Sequence, residues 1–396
     1  MGRHAMNRFI WVVSVTAAAL ALSARAPGAA PGASFRGLGD LPGGTFLSGA
    51  NAVSADGSTV VGQSKSSNGT EAFRWTAAGG MQPLGNLGGI VFSSTAYGVS
   101  GDGSVVVGKG YGLRGTEAFR WTAAGGMLGL GDLAGGSFTS EAYGTSAEGS
   151  VVAGWGFPAT GLSEAFRWTA AGGMVGLGDL AGGDFFSRAY AVSADGAVVV
   201  GYSSATDRHE LAFRWTAATG MQPLPDLPGG SIQGTANAIS PDGKVIVGYS
   251  NSAAGPEAFR WTASEGTVGL GLLPGWDYSS VATGVSQGGA TIVGWGSSLA
   301  GDETALIWDS AHGLRNLQSV LTGVYGLNLA GWSLKEARGI SADGLTIVGW
   351  GTDPAGRTQA WLAVIPEPAT FALLAFGALA VFSRRRTARH GGVPGT

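Results

Sequence analysis

An internal repeat constrains this chain more than any other feature of its sequence. The segment Glu71-Ala72-Phe73-Arg74-Trp75 returns at 117–121, 164–168, 211–215 and 257–261, and in weaker form at 304–308 and 359–363. Successive steps are 46, 47, 47, 46, 47 and 55 residues. A second marker, Ser54-Ala55-Asp56-Gly57, keeps the same register, its serine returning at Ser100, Ser146, Ser193, Ser240, Ser286 and Ser341. Both markers place an eight-residue insertion (55 − 47) in the last repeat, between Leu317 and Ser341.

Each repeat carries four short β-like runs divided by turn residues. In the first repeat these are Ala50–Ser54, an Asp-Gly hairpin, Thr59–Gln63, Ala72–Thr76 and, after a Gly-Gly turn, Met81–Leu87. Four strands in about 47 residues make a propeller blade. A fourth strand follows only the first six repeats, yet Leu38-Gly39-Asp40-Leu41, ahead of the first, matches Leu130-Gly131-Asp132-Leu133. The strand count therefore comes out whole if the N-terminal run completes the last blade. The sequence predicts an all-β, seven-bladed propeller of four-stranded blades over 34–366, closed in this way. An open solenoid is the alternative, and it requires polar capping repeats.

Composition agrees. Glycine supplies 72 of 396 residues and charged residues only 12%. Without a three-residue period this is not collagen, and 44% apolar content is too high for a disordered chain. There is no cysteine, so neither disulfides nor thiolate metal sites are available.

The two ends read as processing signals. Arg3, His4 and Arg8 precede an apolar run, Ile10–Ser23, and a small-x-small site, Ala24-Arg25-Ala26: a secretory signal peptide over 1–26. Over 366–387, Pro366-Glu367-Pro368 precedes fourteen uncharged residues, Ala369–Phe382, and then Arg384, Arg385 and Arg386. The apolar run is a short transmembrane candidate, and the arginines hold its end in the cytoplasm. This three-part tail resembles the PEP-CTERM sorting signal of Gram-negative bacteria. The resemblance implies an exosortase as partner, transient inner-membrane anchoring, cleavage near Pro-Glu-Pro, and release to the cell surface or an exopolysaccharide matrix. A plain tail anchor is the alternative. Between Ser34 and Pro366 there are 16 Lys and Arg against 25 Asp and Glu, so the body carries 16 − 25 = −9. That charge argues against nucleic acid.

Over 35–366 the repeats resemble the HAF family of bacterial extracellular repeat proteins. Here Glu71, Glu117, Glu164 and Glu257 stand where that family has histidine. The resemblance implies a surface-exposed, propeller-like array and names no ligand.

Three sets of positions are candidates for function. The residue after the second-strand glycine is Gln63, Lys109, Trp155, Tyr202, Tyr249, Trp295 and Trp350. Its five aromatics form a candidate sugar-stacking platform, with packing between blades as the alternative. In the first strand, Ala50 and its six equivalents are always alanine, the residue two later is Ala or Gly, and period two puts this small face on the crowded inner strand. Between them Asn51, Tyr97, Tyr143, Tyr190, Asn237, Thr283 and Arg338 vary, as a ligand-facing channel rim does. Lastly, Asp207, Glu210, Asp302 and Glu303 are loop acids from which a glycosidase pair would be drawn. The repeated Asp-Gly carboxylates read as turn formers, since one carboxylate per turn falls short of a calcium site. Arg74 and its equivalents are expected to pair with Asn86, Asp132, Asp179 and Asp226 across the third and fourth strands.

No phosphate loop, catalytic elbow or paired histidine motif is present, and no cofactor or metal is expected. The sequence describes a monomeric, non-enzymatic surface protein that binds or builds, with exopolysaccharide or another surface protein as partner. An extracellular carbohydrate-active enzyme, a glycosidase or lyase with loop carboxylates around the channel, is the alternative.

Overall fold

The structure, a computed structural model, describes residues 30, 32–205, 209–276 and 278–366. The leader and the tail beyond Pro366 lie outside the described residues. Seven antiparallel sheets of four strands each are formed. The first strand of every sheet contacts the first strands of both neighbouring sheets, and those of the first and last sheets also meet. The chain is a closed seven-bladed β-propeller.

Blade one comprises Gly43–Val53, Thr59–Ser66, Gly69–Thr76 and Gly80–Pro83. Blade seven has Ser333–Ile340, Thr346–Thr352 and Thr358–Val364, with Ser34–Gly37 as its outer strand. Ser34 lies opposite Val364 and Gly37 opposite Trp361. The N-terminal strand completes the last blade, as the strand count requires. Outer strands are shorter than the apolar pattern implies. That of blade one stops at Pro83, and the Leu84 N–H then donates to the Ala72 carbonyl as the chain turns at Gly85, φ +83°. Four residues is a short edge, which limits pairing with other chains. The insertion forms the helix Leu317–Gly323, capped by the Asn316 side chain accepting from the Ser319 N–H at 2.8 Å.

The core lies between blades. Val61, Ala72 and Leu84 of blade one pack on Ala96, Val106 and Phe119 of blade two, and the pattern recurs around the ring. Both faces of the middle strands are thus covered, which is why they read as unbroken apolar runs such as Val105–Val107. The phenylalanines of the repeat, Phe73, Phe119, Phe166, Phe213 and Phe259, are at most 1% exposed.

Polar side chains latch neighbouring blades. Buried Ser94 accepts from the Ala72 N–H at 2.9 Å and donates to the Gly85 carbonyl, so one hydroxyl satisfies two backbone groups of the preceding blade. Ser48, Ser140 and Ser187 repeat the arrangement. Glu71, Glu117, Glu164 and Glu257 each accept from a glycine N–H, that of Gly85, Gly131, Gly178 or Gly271. The expected cross-strand pairs do not form at Arg74, Arg120 and Arg167, and Arg260 pairs with Glu265 in its own blade's turn. Arg74, Arg120 and Arg167 reach instead to the next blade's hairpin, donating to the carbonyls of Gly103, Gly149 and Gly196 at 3.1, 3.1 and 3.3 Å. Stacked blades bring that carbonyl within reach, so the partner lies 29 residues on.

The two faces differ. On one, here the floor, lie the hairpins between first and second strands and the turns between third and fourth; Thr59 opposes Thr76 there. On the other, the mouth, lie the loops between second and third strands and the blade-to-blade connections. Val364, the end of the last strand, and Ser34, the start of the first, are paired at the floor.

Candidate functional site

The innermost strand does not keep period two. In every blade the register slips by one residue directly after the invariant alanine: Ala50 opposes Gly62, but Ala52 opposes Val61. Ala96/Gly98, Ala142/Gly144, Ala189/Ala191, Ala236/Ala238, Ala282/Gly284 and Ala337/Gly339 slip in the same way. The extra residue is always the variable one, so Asn51, Tyr97, Tyr143, Tyr190, Asn237, Thr283 and Arg338 each sit on a β-bulge. All seven line the central channel. A bulge re-aims a side chain, and here it aims seven at one axis. The glycine opposite is required by the same geometry: a Cβ on Gly201 falls 1.9 Å from the Arg188 carbonyl oxygen, and one on Gly62 2.0 Å from that of Gly49.

The rim divides into two arcs. On one, polar side chains clasp the next blade: Asn51 and Asn237 donate from Nδ2 to the Ala96 and Ala282 carbonyls at 2.8 and 2.9 Å. Thr283 donates to the Ala337 carbonyl at 2.6 Å, and Arg338 donates to Asn51 Oδ1 and Glu336 Oε2, both at 2.7 Å. On the other arc the rim is aromatic. Tyr97 and Tyr143 stack at 4.5 Å, Tyr190 meets Tyr143 edge-on at 5.1 Å, and Tyr202 stacks on Tyr190 at 5.7 Å. Tyr143 donates to Glu141 at 2.8 Å, and Glu141 also holds Lys109 at 3.0 Å. Burial pushes the phenols of Tyr97, Tyr143, Tyr190 and Tyr202 above the ordinary tyrosine range, so they remain neutral. Burial opposes the charge of Lys109, but its surroundings, with the Glu141 carboxylate at 3.0 Å, outweigh it and raise its pKa.

Towards the mouth the channel opens to about 500 Å³, where Tyr202, Glu210, Thr235, Tyr249 and Glu336 join the rim. Towards the floor it holds about 250 Å³. There a ring of backbone hydrogen bonds links the blades: Ala55 N–H to Gly101, Gly101 to Ala147, Ala147 to Ala194, Ala194 to Pro241, Gln287 to Ala342 and Ala342 to Ala55, at 2.9–3.0 Å. The missing link starts at Pro241, which has no N–H.

The five aromatics of the second-strand column do not form one arc. Trp155 is 7% exposed, beneath the Arg188 guanidinium at 4.2 Å, and its Nε1 has no hydrogen-bond partner. Trp350 lies near Arg338 at 5.9 Å, its Nε1 likewise buried and unpaired. Tyr202 and Tyr249 face the mouth, while Tyr249 and Trp295 line a second cavity of about 440 Å³ between blades five and six. Tyr278, 54% exposed, completes that cavity. It stands four residues before the invariant alanine, where earlier repeats have Phe46, Phe92, Phe138, Phe185 and Ile232, a repeated column that the sequence reading passes over.

The loop acids do not assemble. Glu210 lines the mouth, whereas Asp302 and Glu303 line a separate cavity of about 440 Å³ with Trp276, Gln318 and Lys335. Burial and the nearby Glu336 push the Glu303 carboxyl up. Asp207 lies outside the described residues. The repeated turn acids act locally: Ser54, Ser100, Ser193, Ser240 and Ser341 donate to Asp56, Asp102, Asp195, Asp242 and Asp343. No cluster of three metal-binding side chains is found among the described residues.

Residues 364–386 match the model of the PEP-CTERM protein-sorting motif. Of that motif only residues 364–366 are among the described residues, within which no helix is long and apolar enough to cross a membrane. No curated protein matches the chain. Solved structures of similar shape include TolB from Acinetobacter baumannii, at 11% identity and a TM-score of 0.46, covering 66% of this chain and 63% of that one. A chain of the mitotic checkpoint complex matches at 14% identity and a TM-score of 0.47, covering 88% and 100%. AofleA from Arthrobotrys oligospora matches at 10% and 0.40, covering 72% and 89%. At these identities and scores the likenesses say nothing of ligand or activity. The chain carries a PEP-CTERM sorting motif behind a seven-bladed propeller.

Proposed function

We propose that this is an exported surface protein whose propeller binds polysaccharide at the channel mouth, after delivery by an exosortase. In this reading Ala369–Phe382 holds the precursor in the inner membrane, Arg384, Arg385 and Arg386 stay inside, and cleavage near Pro366-Glu367-Pro368 releases the body to the cell surface or matrix. The observation that carries the binding reading is the mouth itself, about 500 Å³ walled by tyrosines with neutral phenols and by fixed hydrogen-bonding groups. Aromatic faces with polar edges suit the apolar face and hydroxyl rim of a sugar ring.

Chain direction supports the reading. Val364 ends at the floor, and four residues separate it from Ala369, five steps that span at most about 18 Å of extended chain. A tethered precursor then rests floor-down with its mouth outward. Glu210 lines the mouth while Asp302 and Glu303 line a separate cavity, so these loop acids do not converge on one cleft and no reaction is assigned. A glycan array and polysaccharide pull-down with the full chain tests the reading. Capture is expected, and Tyr202→Ala with Tyr249→Ala should abolish it; absence of any glycan ligand overturns it. Replacing Pro366-Glu367-Pro368 by alanines should retain the protein in the membrane, and unchanged release refutes the sorting step.

A further inference from the structure

The cavity between blades five and six adjoins the mouth rather than standing apart from it. The two share Asn237, Tyr249 and Thr283. The two cavities therefore abut at Tyr249, with Trp295 and the surface residue Tyr278 lining the outer one. Together the two cavities offer about 500 and 440 Å³, more than one sugar ring needs.

The chemistry of this outer cleft is selective. None of its lining residues among those described is Asp, Glu, Lys, Arg or His. It offers three aromatic side chains, the amide of Asn237 and the hydroxyls of Ser279 and Thr283. In the mouth, Arg338 is already paired with Glu336 and Lys109 with Glu141. Among the described residues that line the two cavities no unpaired cation is left to meet a uronate or sulfate, and the body's net charge of −9 repels both. A protonated amino sugar would meet no carboxylate among the described residues of the cleft, and in the mouth would meet Glu210 beside the Arg338-paired Glu336.

We infer that the ligand is an uncharged oligosaccharide chain bound end-on, its terminal ring in the channel mouth and the next units laid through the cleft over Tyr249, Trp295 and Tyr278. The inference rests on the polysaccharide-binding reading and adds charge, direction and length to it. End-on entry follows from the floor, where the hydrogen-bonded ring narrows the channel, and the abutting cleft gives the chain a sideways course from the mouth.

The test uses the full chain and an array of neutral, amino and uronate-containing glycans of two to six units. Neutral glycans should be captured, with affinity rising from two to about four units. Tyr278→Ala should weaken a tetrasaccharide about tenfold, the equivalent of about 1.4 kcal/mol, and a disaccharide less than about twofold. Tyr278 is exposed, so this variant folds; Leu113→Ala, exposed on the same face away from the cleft, should change nothing. Binding insensitive to Tyr278→Ala and to length, or a preference for charged glycans, overturns the inference while leaving polysaccharide binding intact. Absence of binding to every glycan overturns both.

Discussion

Arg338 donates from Nη1 to Asn51 Oδ1 at 2.7 Å, joining the last blade to the first inside the channel. Below it, the Ala342 N–H and Ala55 carbonyl join the same two blades at 3.0 Å. These contacts, with the outer strand at Ser34–Gly37, hold the seam where the ring closes.

The seam predicts a measurable coupling. Arg338→Ala removes two hydrogen bonds and leaves Glu336, its side chain 14% exposed, without its cation. The pair is only partly buried, so a loss of about 2 kcal/mol is expected in urea unfolding. Adding Glu336→Gln should recover part of it. Strictly additive losses would show that the pair does not act as a unit.

The second-strand glycines should be among the least replaceable residues. Gly201→Ala sets a methyl 1.9 Å from a backbone oxygen, so the bulge must move, at a cost of about 1–3 kcal/mol or more. Gly323, at the end of the helix, has open space around it, and Gly323→Ala should be neutral or stabilising by up to about 1 kcal/mol. Equal melting temperatures for the two variants would contradict this account of the bulge.

Blade number, ring closure and the small inner strand are legible in the sequence because the repeat expresses them directly. The bulge is not, because Ala50, Ala52 and Ser54 look like plain alternation, and only strand pairing reveals the extra residue at 51. Nor is the partner of Arg74, since a pattern within one repeat says nothing about distances between stacked repeats. The same blindness merges the second-strand aromatics into one column. Trp155 fills a wall beneath Arg188, whereas Trp295 faces the cleft, so one column of the repeat holds side chains in different surroundings.

The arginine latches should be individually dispensable. Blades six and seven carry Ile307 and Leu362 at this position, 3% and 5% exposed. Arg167→Leu therefore exchanges one hydrogen bond for apolar packing, and should stay within about 1 kcal/mol of the parent in thermal unfolding. A loss of several kcal/mol would mean that the Gly196 carbonyl cannot do without its donor.

Acid should weaken the propeller through its turns. The hydrogen bond from Ser100, aided by the Ser104 backbone and hydroxyl, lowers the Asp102 carboxyl to about 2 from its ordinary 3.8; the bond from Ser193 also holds Asp195 below its ordinary range. A carboxyl depressed by folding contributes stability that is present above the unfolded pKa and disappears as pH falls through the folded one. The contribution of Asp102 should thus be intact at pH 5 and lost between about pH 4 and 2. Asp102→Asn, whose amide oxygen still accepts from Ser100, should flatten the melting curve over that window. A constant gap between parent and variant from pH 6 to 2 would exclude the mechanism.

Orientation at the membrane can be read with cysteine chemistry, because the parent chain has none. Leu113, 86% exposed, sits in a loop on the mouth side, and Ala78 in an exposed turn on the floor. The last strand ends at the floor and leaves at most about 18 Å to the apolar run of the tail. In spheroplasts carrying the alanine-substituted Pro366-Glu367-Pro368 precursor, Leu113→Cys should react with a bulky membrane-impermeant maleimide at the rate of a free exposed thiol. Ala78→Cys, facing the bilayer across that short gap, should react several-fold more slowly. After detergent extraction both should label alike. Equal rates before extraction would show that the tethered propeller tumbles on its tail, and a faster floor would reverse the assigned orientation.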